Sequence, residues 1–142
     1  MVVSKSDGVK DRSSAWVAAG ALNGLVAVIC GAFGAHVLAS RLEVKALTAF
    51  ETGARYQMYH ALALLGVAWV MARRPGRLIT ASAYCMLIGV VFFSGSLYGL
   101  ALAGWKWLGP VTPIGGLLMM IGWLLLAVAA LRMSPKPHGA VE

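Results

Sequence analysis

Apolar residues run almost without interruption through four segments of the chain, 15–38, 56–72, 78–103 and 111–131. Each approaches or exceeds the roughly 20 residues that carry an α-helix across the hydrocarbon core of a bilayer. The pattern predicts an all-α membrane protein, a compact bundle of four transmembrane helices occupying 15–132, with nothing left over for a second domain. Residues 1–14 mix Lys5, Lys10 and Arg12 with Asp7 and Asp11. They read as a disordered tail ending at Ser13 or Ser14, either of which can cap the first helix. Residues 133–142, with Pro135 and Pro137, read as a second disordered tail, and no role is expected for its His138. A cleaved signal peptide is the competing reading of the first segment, since Ala32 and Gly34 resemble a cleavage site. The apolar run is too long for an h-region of about 7–15 residues, so a retained span is expected.

The pattern breaks most informatively at the entrance to the second span, Glu51-Thr52-Gly53-Ala54-Arg55-Tyr56-Gln57-Met58-Tyr59-His60. Stepped at about 100° per residue from Glu51, Arg55 falls at about 40°, Tyr59 at about 80°, Thr52 at about 100°, Tyr56 at about 140° and His60 at about 180°. One half of the helix surface is therefore polar. Phe50, Ala54, Met58, Ala61, Leu62 and Leu65 mostly occupy the other half. A membrane helix with such a face is expected to turn it towards protein or water. Thr48-Ala49-Phe50-Glu51 also fits a capping box, with Thr48 as N-cap and Glu51 reaching back. On that reading Glu51 closes the helix start and pairs with Arg55 one turn on. Residues 41–47 form an amphipathic connector, and Thr112-Pro113 reads as N-cap and first residue of the fourth helix.

Small residues recur at helical spacing. Gly20, Gly24, Ala27, Gly31 and Gly34 line one face of the first span, and Gly95, Gly99 and Ala103 one face of the third. Gly115, Gly116 and Gly122 again offer close packing in the fourth. Such faces let backbones approach closely, which is what membrane helices use in place of a hydrophobic drive between them. Packing within the bundle is the simpler use, and a homodimer seam the alternative. Asn23, in mid-span, is expected to hydrogen-bond to another helix. Cys30 and Cys85 lie inside spans without a CxxC spacing and read as apolar packing residues.

Composition narrows the class further. The chain is 60% hydrophobic and 12% charged, against roughly half and a quarter in soluble domains. Its net charge of +7 does not point to nucleic acid, because the basic residues flank the spans. Lys5, Lys10, Arg12, Arg73, Arg74, Arg77, Arg132 and Lys136 fall on one side of the membrane, and Arg41, Lys45, Arg55 and Lys106 on the other. The positive-inside bias then puts both termini in the cytoplasm. His36, Glu51, Arg55, Tyr56, Tyr59, His60, Ser94, Ser96, Tyr98 and Thr112 consequently converge on the outer half, with Trp105 and Trp107 in an interfacial turn.

Four stretches now stand out: Gly31-Ala32-Phe33-Gly34-Ala35-His36, Arg55-Tyr56-Gln57-Met58-Tyr59-His60-Ala61-Leu62-Ala63, Ser94-Gly95-Ser96-Leu97-Tyr98 and Thr112-Pro113-Ile114-Gly115-Gly116. Together, and in this order, they resemble the small membrane family called domain of unknown function 423, which includes the transmembrane protein 256 group. The resemblance implies a four-helix integral protein of the bacterial inner (plasma) membrane or, in animals, of mitochondria. It implies no established activity, so it carries over no catalytic residue. Gly53 departs from the family, where a bulkier residue is expected.

Three functional classes follow. The first is a binding or assembly module, in which Arg55 anchors a phosphate or carboxylate through paired hydrogen bonds and Tyr56, Tyr59 and His60 complete the pocket. Glu51, His36, Ser94, Ser96 and Tyr98 are the other candidate members, and the partners expected are membrane lipids, a membrane protein or further copies of the chain. The same residues could instead form a network that only holds the bundle together. The second class is a small oligomeric transporter, for which Glu51 is the sole candidate carboxylate, without an inverted repeat or a broken helix pair. The third is a haem- or metal-binding protein using His36 and His60, but no HExxH, CxxCH or carboxylate cluster accompanies them. No enzyme, no cofactor and no metal site are expected.

Overall fold

A computed structural model describes the backbone of residues 5–133 and the side chains of residues 12–133. Four long helices account for most of it: α1 (Lys5–His36), α2 (Val44–Arg73), α3 (Arg77–Ala103) and α4 (Val111–Leu131). Short 3₁₀ turns, Leu38–Ser40 and Lys106–Leu108, occupy the α1–α2 and α3–α4 connections. The fold is the expected all-α membrane bundle. Helices α1, α3 and α4 are each long and apolar enough to cross a membrane. α2 has the length, with 30 residues, but carries Lys45, Glu51 and Arg55 in its first half. It runs antiparallel to α1 and α3 and packs against both.

The helices are joined in sequence order, α1 on α2, α2 on α3 and α3 on α4. α2 and α3 therefore form the centre, and their buried residues dominate the core. Two apolar clusters occupy the two ends. At the end where the chain turns through Pro75, Trp16, Leu64, Val67, Met71, Ile79, Ala83, Met86 and Ala129 pack together. At the other end Leu38, Phe50 and Ala101 form a smaller cluster, with Cys30, Leu42, Ala46, Leu47 and Tyr98 around it.

This second cluster explains where α2 begins. Leu42, Ala46, Leu47 and Phe50 continue a helical apolar spacing upstream of the span. The helix accordingly starts at Val44 after an extended Glu43, with no side-chain cap. The capping box expected at Thr48 and Glu51 is thus not formed. Thr48 lies inside the helix and its hydroxyl donates to the Val44 carbonyl at 2.8 Å. Two other caps shift for the same kind of reason. α1 is already helical at Lys5, with no proline to interrupt it, so Ser13 and Ser14 are interior positions rather than the end of a tail. α4 begins at Val111, and Thr112 turns its hydroxyl to Ser96 of α3 at 2.7 Å instead of capping its own helix. The expected tail segments 1–4 and 134–142 lie outside the described residues.

Glycines set the closest crossings. A Cβ at Gly20 would stand 3.0 Å from the Ala61 carbonyl oxygen, and one at Gly34 would stand 3.3 Å from the Phe50 ring. Gly24 also faces Ala61, so most of the α1 stripe packs on α2. Gly31 is the exception, with open space where a side chain would go. On α3, Gly99 is covered by Leu108 and Trp105 of the following turn, whereas Gly95 faces open space. Residues 95, 99 and 103 thus do not act as one packing face. The tightest approach joins α3 to α4 through Gly89, Gly115 and Gly122, where an added Cβ would meet backbone atoms of the facing helix.

Candidate functional site

Between the two apolar clusters lie the buried polar side chains Gln57, His60, Ser94 and Ser96, while buried Ser82 sits at the level of the first cluster and donates to the Gly122 carbonyl at 2.7 Å. Every one is satisfied, since no buried side-chain nitrogen or oxygen among the described residues lacks a partner. In a membrane that condition is close to obligatory, because lipid offers no substitute hydrogen bond.

The central element is a chain of three amide and phenol groups. Tyr98 on α3 donates its hydroxyl hydrogen to Gln57 Oε1 at 2.7 Å. Gln57 Nε2 donates to Asn23 Oδ1 on α1 at 3.4 Å. Asn23 Nδ2 in turn donates to the Ala19 carbonyl at 3.0 Å. All donors point one way, from α3 through α2 to α1, and the relay ends on backbone. Beside it, Ser94 Oγ donates to the Gly53 carbonyl at 2.8 Å. A Cβ at Gly53 would fall 2.9 Å from the Tyr98 ring, so the glycine is what lets Tyr98 lie over α2.

His60 forms a second centre. Its Nδ1 lies 2.9 Å from the Tyr56 carbonyl oxygen, which can only accept. Nδ1 must therefore carry the hydrogen, leaving Nε2 to accept from Trp123 Nε1 of α4 at 3.2 Å. Tyr56 stacks over His60 at 15° between ring planes and contacts Phe93. Both imidazole nitrogens are engaged, and His36 sits exposed at the far end of α1. Among the described residues no three His, Cys, Asp or Glu side chains gather into a potential metal-binding group.

The polar half of α2 is thus divided. The buried face centres on Gly53, Gln57, Ala61 and Leu64, with His60 at its edge. Arg55, Tyr56 and Tyr59 point outwards instead, Tyr59 being 53% exposed. The half expected to face protein or water is therefore split: small Gly53, Ala54 and Ala61 permit close helix contact, and the long polar chains lie outside it. Glu51 and Arg55 form no ion pair with one another. They line an open groove between α1 and α2, together with Ala27, Gly31, Ala54, Met58 and Tyr59. Ser94, Ser96 and Tyr98 belong to the interior and do not reach that groove.

Sequence reasoning did not single out Gln57 or Trp123, the two residues that join the helices around Tyr98 and His60. The signal for Gln57 was its angle of about −120° from Glu51, within the apolar half, where an amide must find internal partners. Trp123 lies in an apolar run and its ring nitrogen leaves no periodic trace.

Comparison with known proteins agrees with this architecture. The family described as protein of unknown function DUF423 matches residues 30–116. The UPF0382 membrane protein SERP0230 of Staphylococcus epidermidis is 44% identical over 115 residues, covering 81% of this chain and 93% of that protein. The UPF0382 membrane protein YwdK of Bacillus subtilis is 43% identical over 114 residues, covering 80% and 93%. The UPF0382 inner membrane protein YgdD of Escherichia coli is 41% identical over 116 residues, covering 82% and 88%. No solved structure matches the chain. With most of its length shared at this identity, and its apolar helices arranged as the bundle described, the chain belongs to the DUF423 family of integral membrane proteins.

Proposed function

We propose that the protein is a non-catalytic assembly module of the membrane, whose α1–α2 groove receives a transmembrane helix. The observation that carries this reading is the pairing of a small-residue floor with an unjoined charge pair on its rim. Ala27, Gly31 and Ala54 floor the groove, and a Cβ added at Gly31 would meet no other part of the protein within 4 Å. Glu51 and Arg55 stand above it without an ion pair between them. A floor of this kind admits a helix backbone, as the filled positions Gly20 and Gly34 do within the bundle. A rim carrying both signs suits an occupant that carries both, and a helix with a carboxylate facing Arg55 meets that condition. A second copy of the chain would also satisfy it, each Arg55 meeting the other's Glu51.

Photo-crosslinking in native membranes tests the reading. p-Benzoylphenylalanine at Met58 should capture a protein, with a yield that falls several-fold on Arg55→Ala. The same probe at Val91, exposed on α3 away from the groove, should not. A product of twice the chain mass identifies a second copy, and any other defined mass a different partner. Lipid adducts alone, or equal capture from both positions, would refute the assembly role.

A further inference from the structure

We propose a second site, at the opposite end of the bundle, that holds an acidic phospholipid in the cleft between α1 and α3. These two helices are not direct packing neighbours along their length. Where they diverge, a cavity of about 650 Å³ opens, lined by Arg12, Gly76, Arg77, Thr80 and Tyr84. The volume lies within the range of about 300–1,000 Å³ typical of small-molecule sites. Arg12 comes from α1 and Arg77 from the first turn of α3, so two guanidinium groups from different helices border one space. Neither makes an ion pair or hydrogen bond among the described residues. A phosphate is the group they fit: guanidinium binds it through parallel hydrogen bonds, and the start of α3 adds backbone N–H groups and a favourable dipole.

The cavity does not end at the charges. Arg12, Thr80 and Tyr84 also border an adjoining groove that runs inwards along Trp16, Ala19 and Leu87. Trp16 and Tyr84 meet edge to face at 4.8 Å and form its wall. A cationic mouth leading to an apolar trough at a helix end matches an amphiphile, phosphate at the mouth and acyl chain in the trough. A free phosphate uses only the first half. Around the mouth Arg73, Arg74 and Arg132 add positive charge, and in the first turns of α1 Lys5 and Lys10 offset Asp7 and Asp11, so this end stays net positive and an anionic headgroup is preferred over a zwitterionic one.

Native mass spectrometry of the full chain released from nanodiscs of equal phosphatidylglycerol and phosphatidylcholine tests this. Phosphatidylglycerol should remain bound in preference, by roughly tenfold. The double variant Arg12→Gln/Arg77→Gln should lose that preference, whereas Arg41→Gln/Lys106→Gln, which removes two cations from the other end, should keep it. Ala15→Trp, which narrows the trough without altering charge, should also reduce retention. Circular dichroism establishes that each variant is folded, and a variant that is not gives way to Thr80→Val and Tyr84→Leu, which soften the same site. Equal retention of the two lipids, or a preference unaffected by the mouth variants, overturns the proposal. So does retention of inorganic phosphate in phosphatidylcholine-only discs that Ala15→Trp leaves unchanged, because the occupant is then a free anion. The groove near Arg55 takes no part in any of these outcomes.

Discussion

Tyr98 and Gln57, 41 positions apart, are joined by a 2.7 Å hydrogen bond in which the phenol donates to the amide oxygen. That bond fixes the direction of the whole relay. With Oε1 occupied as acceptor, Nε2 is the end left to face Asn23. Tyr98→Phe removes the donor and leaves a buried amide oxygen without a partner. The expected loss is about 1 kcal/mol, between the ~0.6 kcal/mol average for hydrogen bonds between membrane helices and the ~1–3 kcal/mol of an orphaned buried acceptor. Unfolding in mixed detergent micelles measures it. Gln57→Leu combined with Tyr98→Phe should cost less than the two single changes together, and strict additivity would show that the bond does not couple the helices.

Helix proximity makes a second prediction with opposite signs at two glycines. At Gly115 an added Cβ would lie 2.8 Å from the Gly89 carbonyl oxygen and also meet the Phe93 backbone, so α3 and α4 must move apart. Gly115→Ala should destabilise by about 1–3 kcal/mol, the usual range for overpacking. Gly66, in the middle of α2, has nothing within 4 Å. There alanine restricts the unfolded chain and meets no atom, so Gly66→Ala should stabilise by about 0.5–1 kcal/mol. The same micelle titration reads both. A loss at Gly66 would mean that this face is covered in the membrane.

The span pattern carried the helix count and the bundle class, because length and apolarity are what a bilayer demands of a crossing helix. It carried less about rotation. On α2 the polar arc from Glu51 to His60 marked a face for protein or water without choosing between them, whereas the interior is set by what lets helices touch, namely Gly53, Ala54 and Ala61. Gln57 falls on that inner face and its partners lie on two other helices, so no local pattern could reveal them. Asn23 was legible as a polar residue needing a partner, but its partner was not. Caps failed for a related reason. Thr48 and Thr112 have the right residue type, yet the apolar spacing upstream of Thr48 and the nearby Ser96 hydroxyl decide their use.

The geometry at His60 predicts a single tautomer. With hydrogen on Nδ1 and Trp123 donating to Nε2, a nitrogen NMR spectrum of the labelled imidazole should show an unprotonated Nε2. Trp123→Phe removes the indole donor to that atom and should shift its resonance while costing about 1 kcal/mol of stability. An Nε2–H signal in the wild type would contradict the arrangement.

Glu51 and Arg55 stand one turn apart on α2 without pairing, and this has a thermodynamic consequence. An i, i+4 ion pair would give a coupling of about 0.3–0.5 kcal/mol even when exposed. Glu51→Ala and Arg55→Ala should instead act independently, their stability effects summing in the double variant within measurement error. A clear coupling would return Arg55 to a structural role and remove the charged rim on which the assembly reading depends.

The distribution of cations predicts the orientation of the bundle. Antiparallel packing brings Arg12, Arg73, Arg74, Arg77 and Arg132 to one end, where Lys5 and Lys10 offset Asp7 and Asp11 of the same helix. Arg41, Lys45 and Lys106 lie at the other end, near Glu43. Positively charged loops resist translocation, so the arginine-rich end should face the cytoplasm, and with it both termini. A green fluorescent protein fused after Glu142 should fluoresce, and alkaline phosphatase at the same position should stay inactive. Replacing Arg73, Arg74 and Arg77 with alanine removes three of the eight Lys and Arg residues on that side and leaves five against four, close to balance. That variant should give a mixed population by the same reporters. A wild-type fusion active on the periplasmic side would invert the assignment and place the Arg12–Arg77 cleft in the outer leaflet.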